Sequence, residues 1–477
     1  MSSVSNSRPI AAGPTRRQWI VLVCLFILSL PAVTTRIYSS DEIQYFAYLR
    51  SLWFDHDLSF ENEYRFFYDR RIARSEGFHE TFLERSTETG RRINFATIGC
   101  AILWAPFYAA GDGVARAAGA PADGFSKPYV AGVAYGSAVY GFLAVILGTL
   151  AAQRLGLGAF SAAIAVWLGT PLLFYMYVAP PFSHACSAFG VALFIYLWLR
   201  VRDGWTPAGL AALGAAAALM TMIREQDAFF AFGAALDFVL WAWSAREPVR
   251  AIASKARGLA LGAVAFTLVF LPQAAAYMIL NGHLGPHASV GHKMNWAAPH
   301  AVQVLLSPEH GFFIWTPLAL VALAGLFVLL ARGEDARMAS SRRRRAAACL
   351  IVMAALQVYV GGSVESWTVA GAYGQRRFIA LTAVMIVGYA SLDAAARAAD
   401  WRPARPLLLA LTTILVYWNL ALSAEFAIGL MDRQRLQPAK NAYDAFVTLP
   451  SRLPSLVHRY LFDRSSFYQH GSETQGG

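Results

Sequence analysis

The chain has 477 residues, of which 57% are hydrophobic and only 14% charged, against about 25% charged in a soluble domain. Apolar runs long enough to cross a bilayer, about 20 residues each, recur almost to the end, which excludes a soluble globular protein. The net charge of +11 would suggest nucleic acid in a soluble chain, but here the arginines stand between apolar runs, where they orient spans, so no nucleic acid partner is expected. Cys24, Cys100, Cys186 and Cys349 are scattered through apolar segments without metal or disulfide spacing.

The first run, "QWIVLVCLFILSLPAVTT" at 18–35, follows Arg16 and Arg17 and carries no small-residue cleavage pattern beyond it. It reads as an uncleaved first transmembrane helix behind a cytoplasmic N-terminus, 1–17. Further candidates lie at 95–111, 128–153, 155–183, 184–199, 205–223, 228–245, 258–282, 311–331, 346–364, 378–396 and 406–424. If every one crossed, the basic loops "AREPVRAIASKAR" and "ARGEDARMASSRRRR" would face outward, against the positive-inside rule. Removing 95–111, which is short and holds Pro106, puts both loops inside. The expectation is an all-α polytopic protein of about eleven transmembrane helices, with 95–111 on or dipping into the outer face.

That parity divides the chain into an extracytoplasmic loop at 36–127 with juxtamembrane helices, a bundle of about ten helices at 128–428, and an extracytoplasmic tail at 429–477. Nearly every unusual polar residue then falls outside. The loop opens on "SSDEIQYFAY", with Asp41 and Glu42 adjacent, and is too rich in aromatics, Tyr45 among them, to be disordered. Apolar residues at 43, 46, 49 and 52 give a helical spacing suited to lying along the interface. Acids at a helix start also serve as ordinary N-terminal charges. Gly132 with Gly136, and Gly258 with Gly262, have the spacing of close helix packing. Asp237, about midway along its span, calls for a polar partner in a neighbouring helix.

An Asp-Glu pair just after the first span, followed by a Tyr-rich helix and "SLWFDHDLSFENEY", resembles the first outer loop of membrane glycosyltransferases of GT-C fold. The likeness is greatest to the bacterial branch related to protein O-mannosyltransferases and the lipid A aminoarabinose transferase. It extends through "PPFSHACSAF", "HGFFIWTPL" and "YGQRRF". Gln44 stands where the aminoarabinose branch has Arg, so donor specificity is not carried over.

The resemblance implies transfer of a sugar, with inversion, from a polyprenyl-phosphate donor to a protein, lipid or polysaccharide acceptor, at the periplasmic face of a bacterial inner membrane. Asp41 matches the family's general base; Glu42 either supports the site or caps the helix. A leaving phosphate calls for cations, and Arg376, Arg377 and Arg224 lie at outer ends of spans, against the inside bias for positive charge. Glu365, Tyr373, His184, Tyr45 and Lys293 are further substrate-binding candidates. His283, His287 and His292 lie in a loop broken by Gly285, Pro286 and Gly291, so no metal site is assigned; the need for a divalent cation stays open. The competing class is a transporter or flippase of lipid-linked sugars. It would be expected to show paired repeats and charged or broken helices at midplane, whereas the sequence shows no internal repeat and only Asp237 in mid-span.

Overall fold

The structure, a computed structural model, describes residues 14–332, 338–369 and 371–463. Among them all extended structure is helical, and β-type pairing is confined to two isolated antiparallel bridges, Ser86 with Arg92 and Met294 with Val364. Helix α1 (Arg16–Ser29) opens on a capping box in which the Thr15 hydroxyl accepts from Gln18 N and the Gln18 side chain accepts from Thr15 N. It ends earlier than the 18–35 run suggests. Pro31 lies in the 3-10 turn Leu30–Ala32 that follows and has no N–H with which to continue the helix.

The segment 36–127 contributes α2 (Ser40–Arg50), α3 (Glu61–Asp69) and α4 (Gly99–Ala117). The bundle follows as α5 (Lys127–Arg154), α6 (Phe160–Gly169), α7 (Leu172–Tyr177), α8 (His184–Val201), α9 (Pro207–Ile223), α10 (Ala231–Trp243), α11 (Ala256–Asn281), α12 (Pro317–Ala331), α13 (Met338–Ser363), α14 (Thr382–Ala398) and α15 (Ala404–Ala427). The C-terminal part carries α16 (Leu449–Phe462). Six helices, α5, α8, α11, α13, α14 with its leading turn, and α15, are long and apolar enough to cross a membrane. The others in the bundle are shorter. Helix α11 exposes Leu261, Val264, Leu268, Leu271 and Met278, an apolar belt that is stable only against lipid.

The stretch 155–183 is not one helix. Thr170, ahead of Pro171, is extended at φ −132° and ψ 164°, as a residue before proline prefers. The carbonyls released by the break, Leu168 O and Thr170 O, accept from Asn419 Nδ2 at 2.8 and 3.0 Å. Glycines set the close crossings: a Cβ on Gly132 would lie 2.5 Å from Phe107 O, and one on Gly262 2.9 Å from Leu210 O. These are two of the four glycines whose spacing suggested helix packing.

The two ends of the bundle differ chemically. At one end Asp237 accepts from Arg202 at 2.7 and 2.8 Å and from Trp198 Nε1 at 3.0 Å, and Arg345 joins it from α13. Here are the polar partners that a mid-span acid required. At the same end Asp393 accepts from Ser161 at 2.7 Å and pairs with Arg397 and Arg405. Each acid is buried and held by more than one donor, which offsets its desolvation.

Helix α4 stays near the opposite end. Before its start, Thr97 donates to Ile223 O at 2.8 Å, at the end of α9. Its later turns run antiparallel to α5, from Tyr140, whose hydroxyl donates to Leu103 O, to Pro128, whose O would lie 2.6 Å from a Cβ on Gly111. These contacts cover the half of α5 away from Arg154. A cysteine at Gly113, which has open space around it, is therefore expected to react with an impermeant thiol reagent from the outer side. A cysteine at Ser254 should react only after the membrane is breached, both in a Cys24→Ser background. The reverse pattern at either position would overturn the arrangement.

Candidate functional site

At the end away from the Asp237 cluster, the chain leaves α1 and turns into α2 through a second capping box. Glu42 Oε2 accepts from the backbone N–H groups of Tyr38 and Ser39, both at 2.9 Å, and the Ser39 hydroxyl accepts from Asp41 N at 3.3 Å. Glu42 is thereby committed to the cap, whereas Asp41, one residue earlier, projects from the helix start. Helix α2, whose spacing suggested a helix along the interface, is enclosed by protein on more than its apolar face. Ile43, Phe46, Ala47, Tyr48 and Leu49 are all buried, and Gln44 Oε1 accepts from Phe95 N at 2.8 Å while its carbonyl accepts from Asn94 Nδ2 at 3.0 Å. The residues between the apolar positions also find protein partners, so the helix is enclosed by the rest of the outer loop.

Asp41 meets the bundle at Arg376, with Nη1 to Oδ2 at 2.7 Å. The two side chains are 39% and 20% exposed, so the pair is reachable by a ligand. Arg376 begins the 3-10 turn Arg376–Leu381 at the head of α14, and its guanidinium lies over the Phe182 ring at 5.4 Å. Arg377 points elsewhere: Nη1 donates to Ser366 O at 2.9 Å, and its carbonyl accepts from Gln357 Nε2 at 2.8 Å. Arg224, at the end of α9, donates to His184 Nδ1 and, at 3.3 Å, to Gln226 Oε1. Arg224, Arg376 and Arg377 are close enough to act on one another and on His184 electrostatically. Tyr45 reaches in from α2, its hydroxyl near Ser183 and Arg224 and its ring edge-on to Trp104 at 6.5 Å.

Of the candidates read from the sequence, the structure thus gathers Asp41, Glu42, Tyr45, His184, Arg224, Arg376 and Arg377. Tyr373 is buried with its hydroxyl on Asn419 at 3.0 Å and its ring stacked on Phe174. It acts through its backbone, whose N–H donates to the Tyr175 hydroxyl at 3.2 Å. Glu365 and Lys293 are joined to each other, Glu365 N donating to Lys293 O at 2.7 Å, and the Lys293 ammonium sits over Phe95. They form an exposed flank. Phe182 and Tyr175, the aromatic walls around His184 and Arg376, went unrecognised in the sequence, although Phe182 lies within "PPFSHACSAF".

The balance of charge at this end is positive, because Glu42 adds little to it. Burial pushes the Glu42 carboxyl from the ordinary 4.5 up to about 8, with Asp41 adding to the rise and the two backbone N–H groups and Arg376 opposing it. A protonated Glu42 leaves Asp41 as the carboxylate that meets Arg376, with Arg224 and Arg377 nearby on neutral partners. Such an arrangement accepts an anion and offers one acid-base group beside it.

The same shift sets a pH dependence. Between pH 4.5 and about 8 the folded protein holds a proton that the unfolded chain releases, so this contribution to stability is full below that window and is lost as pH rises through it. Thermal unfolding in detergent should show the decline for the wild-type chain, and Glu42→Gln, which keeps the capping oxygen without a titration, should flatten it. An unchanged profile in the variant would remove Glu42 as its source.

No family model and no curated protein sequence matches the chain. Among solved structures it is similar to ArnT from Cupriavidus metallidurans bound to undecaprenyl phosphate, at 13% identity and a TM-score of 0.47, over 90% of this chain and 75% of that one. It is similar to the same protein in the apo state at 12% identity and a TM-score of 0.47, over 90% and 74%.

Proposed function

We propose that the chain is an inverting glycosyltransferase that moves a sugar from a polyprenyl-phosphate donor to an acceptor at the outer membrane face, with Asp41 as general base. The observation that carries this reading is the Asp41–Arg376 ion pair, at 2.7 Å, within a cluster of three arginines at the bundle end away from the basic loops. One carboxylate and an excess of guanidinium groups are what a base and a phosphate leaving group require. The resemblance of the "SSDEIQYFAY" loop supplies the reaction class.

In the reaction the acceptor hydroxyl or amine attacks the anomeric carbon from the face opposite the phosphate. Its proton passes to Asp41 as the new bond forms. The bond between the anomeric carbon and the phosphate oxygen breaks, and its electron pair leaves on polyprenyl phosphate, whose added negative charge Arg376 stabilises. Before the donor arrives, Arg376 is held by Asp41. The incoming phosphate competes for that guanidinium, and the released carboxylate turns to the acceptor. Donor binding thereby prepares the base.

The segments 1–17 and 36–127 are proposed to lie on the cytoplasmic and periplasmic sides of a bacterial inner membrane, with α4 remaining outside and the part from 429 periplasmic. Packing of α4 against the end of α9 and only half of α5 supports this placement.

Asp41→Asn should lower turnover about 100- to 10,000-fold, read as release of polyprenyl phosphate from membrane-extracted polyprenyl-phosphate sugars. Its affinity for polyprenyl phosphate should be unchanged or up to about fivefold tighter, because a partly exposed ion pair worth at most ~1 kcal/mol no longer competes. More than a tenth of wild-type turnover would remove Asp41 as the base, and a lipid-linked sugar moved across the bilayer intact would favour a flippase.

The two adjacent arginines should respond unequally. Arg376→Ala is expected to weaken polyprenyl phosphate binding about tenfold or more, as loss of a charged hydrogen bond does, whereas Arg377→Ala should act mainly on the stability of the 363–377 turn. Equal affinities in direct binding measurements would place the phosphate elsewhere.

A further inference from the structure

His184 lies at the first position of α8 and is 3% exposed. Its ring stacks on Phe182 at 5.6 Å, with the planes 16° apart, and meets Tyr175 edge-on at 4.6 Å. Both walls are themselves held: Tyr175 exchanges hydrogen bonds with the Tyr373 backbone, and Phe182 also carries the Arg376 guanidinium. The plane of the imidazole is therefore fixed. Arg224 Nη1 contacts Nδ1, and an arginine side chain has only donors. Nδ1 must accept, so the ring proton sits on Nε2. The same contact leaves no place for a second ring proton.

Nε2 is buried and has no partner among the described residues. A buried N–H without an acceptor is costly, and this one lies within the field of Arg224, Arg376 and Arg377, where an anion would bring acceptors. Arg224 has its own guanidinium occupied by His184 and Gln226. Its place is behind the histidine.

We infer that neutral His184 donates from Nε2 to a non-bridging oxygen of the carrier phosphate, and that Arg224 is a positioning residue that sets the tautomer. This rests on the glycosyltransferase reading. Arg376 supplies charge to the phosphate, and His184 supplies one directed hydrogen bond that an uncharged polyprenol, with its single hydroxyl, uses poorly. The pair of contacts distinguishes a phosphate monoester from the alcohol of the same chain.

The test uses the full-length protein in detergent with polyprenyl phosphate, the matching polyprenol and inorganic phosphate as probes. His184→Phe keeps the stacked ring and removes the donor. It should weaken polyprenyl phosphate binding about tenfold, weaken competition by inorganic phosphate in proportion, and leave polyprenol binding unchanged. His184→Gln places an amide N–H near Nε2 and should recover most of the loss. Nitrogen-15 NMR of histidine-labelled protein, with the His184 signals assigned by their absence in His184→Gln, should show a bare Nδ1 and a protonated Nε2. Arg224→Met should mix the tautomers. A proton on Nδ1 in the wild-type protein, or wild-type affinity in His184→Phe, would overturn the inference while the transferase reading stands. Failure of the wild-type protein to bind polyprenyl phosphate would overturn the reading itself.

Discussion

The ion pair between Asp41 and Arg376 joins the segment after α1 to the head of a buried bundle helix, and the architecture of this end of the molecule is arranged around it. Asp41 is available because its neighbour, Glu42, performs the capping. Arg376 is available because Gln375, whose side chain donates to Trp367 O at 3.0 Å, and Arg377, which donates to Ser366, hold the preceding turn. His310, at the foot of "HGFFIWTPL", contributes to the same turn: its Nε2 donates to Ala372 O at 2.8 Å, and burial lowers its pKa to about 4. A neutral histidine there braces the backbone without adding charge to the arginine cluster.

Burial and charge are distributed differently at the two ends. Asp237 and Asp393 are each fully buried and each holds two arginines, which ties neighbouring helices together. At the Asp41 end the carboxylate is 39% exposed and meets a single arginine, Arg224 and Arg377 are held by neutral partners, and aromatic walls line His184 and Arg376. A structural salt-bridge cluster has little to gain from an incoming anion. Arginines held mainly by neutral partners gain charge-assisted hydrogen bonds from one.

Much of the site was legible in the sequence because membrane proteins restrict where charge can stand. Arg224, Arg376 and Arg377 were conspicuous as positive residues at outer ends of spans, and Asp41 and Glu42 as adjacent acids at a helix start. The two acids could not be told apart by position, since either could cap; that was decided by the backbone N–H groups of Tyr38 and Ser39 turning toward Glu42. Glu365 and Lys293 were substrate-binding candidates from the same polar segments. They ended on an exposed flank because the 363–377 turn pairs its backbone with the loop carrying Lys293.

Composition and the apolar runs determined by themselves that this is a helical membrane protein with its unusual polar residues set between or at the ends of apolar runs, because lipid admits only backbone that satisfies itself and penalises every stray charge. Tertiary structure alone decided that α2 is enclosed, that 155–183 breaks at Thr170, and that Arg376 meets Asp41 while Arg377 does not. Those outcomes depend on side chains far apart in sequence, such as Asn419 taking the carbonyls of Leu168 and Thr170 and Gln44 binding Phe95. Local periodicity carries no information about such partners, since they exist only once the chain has folded.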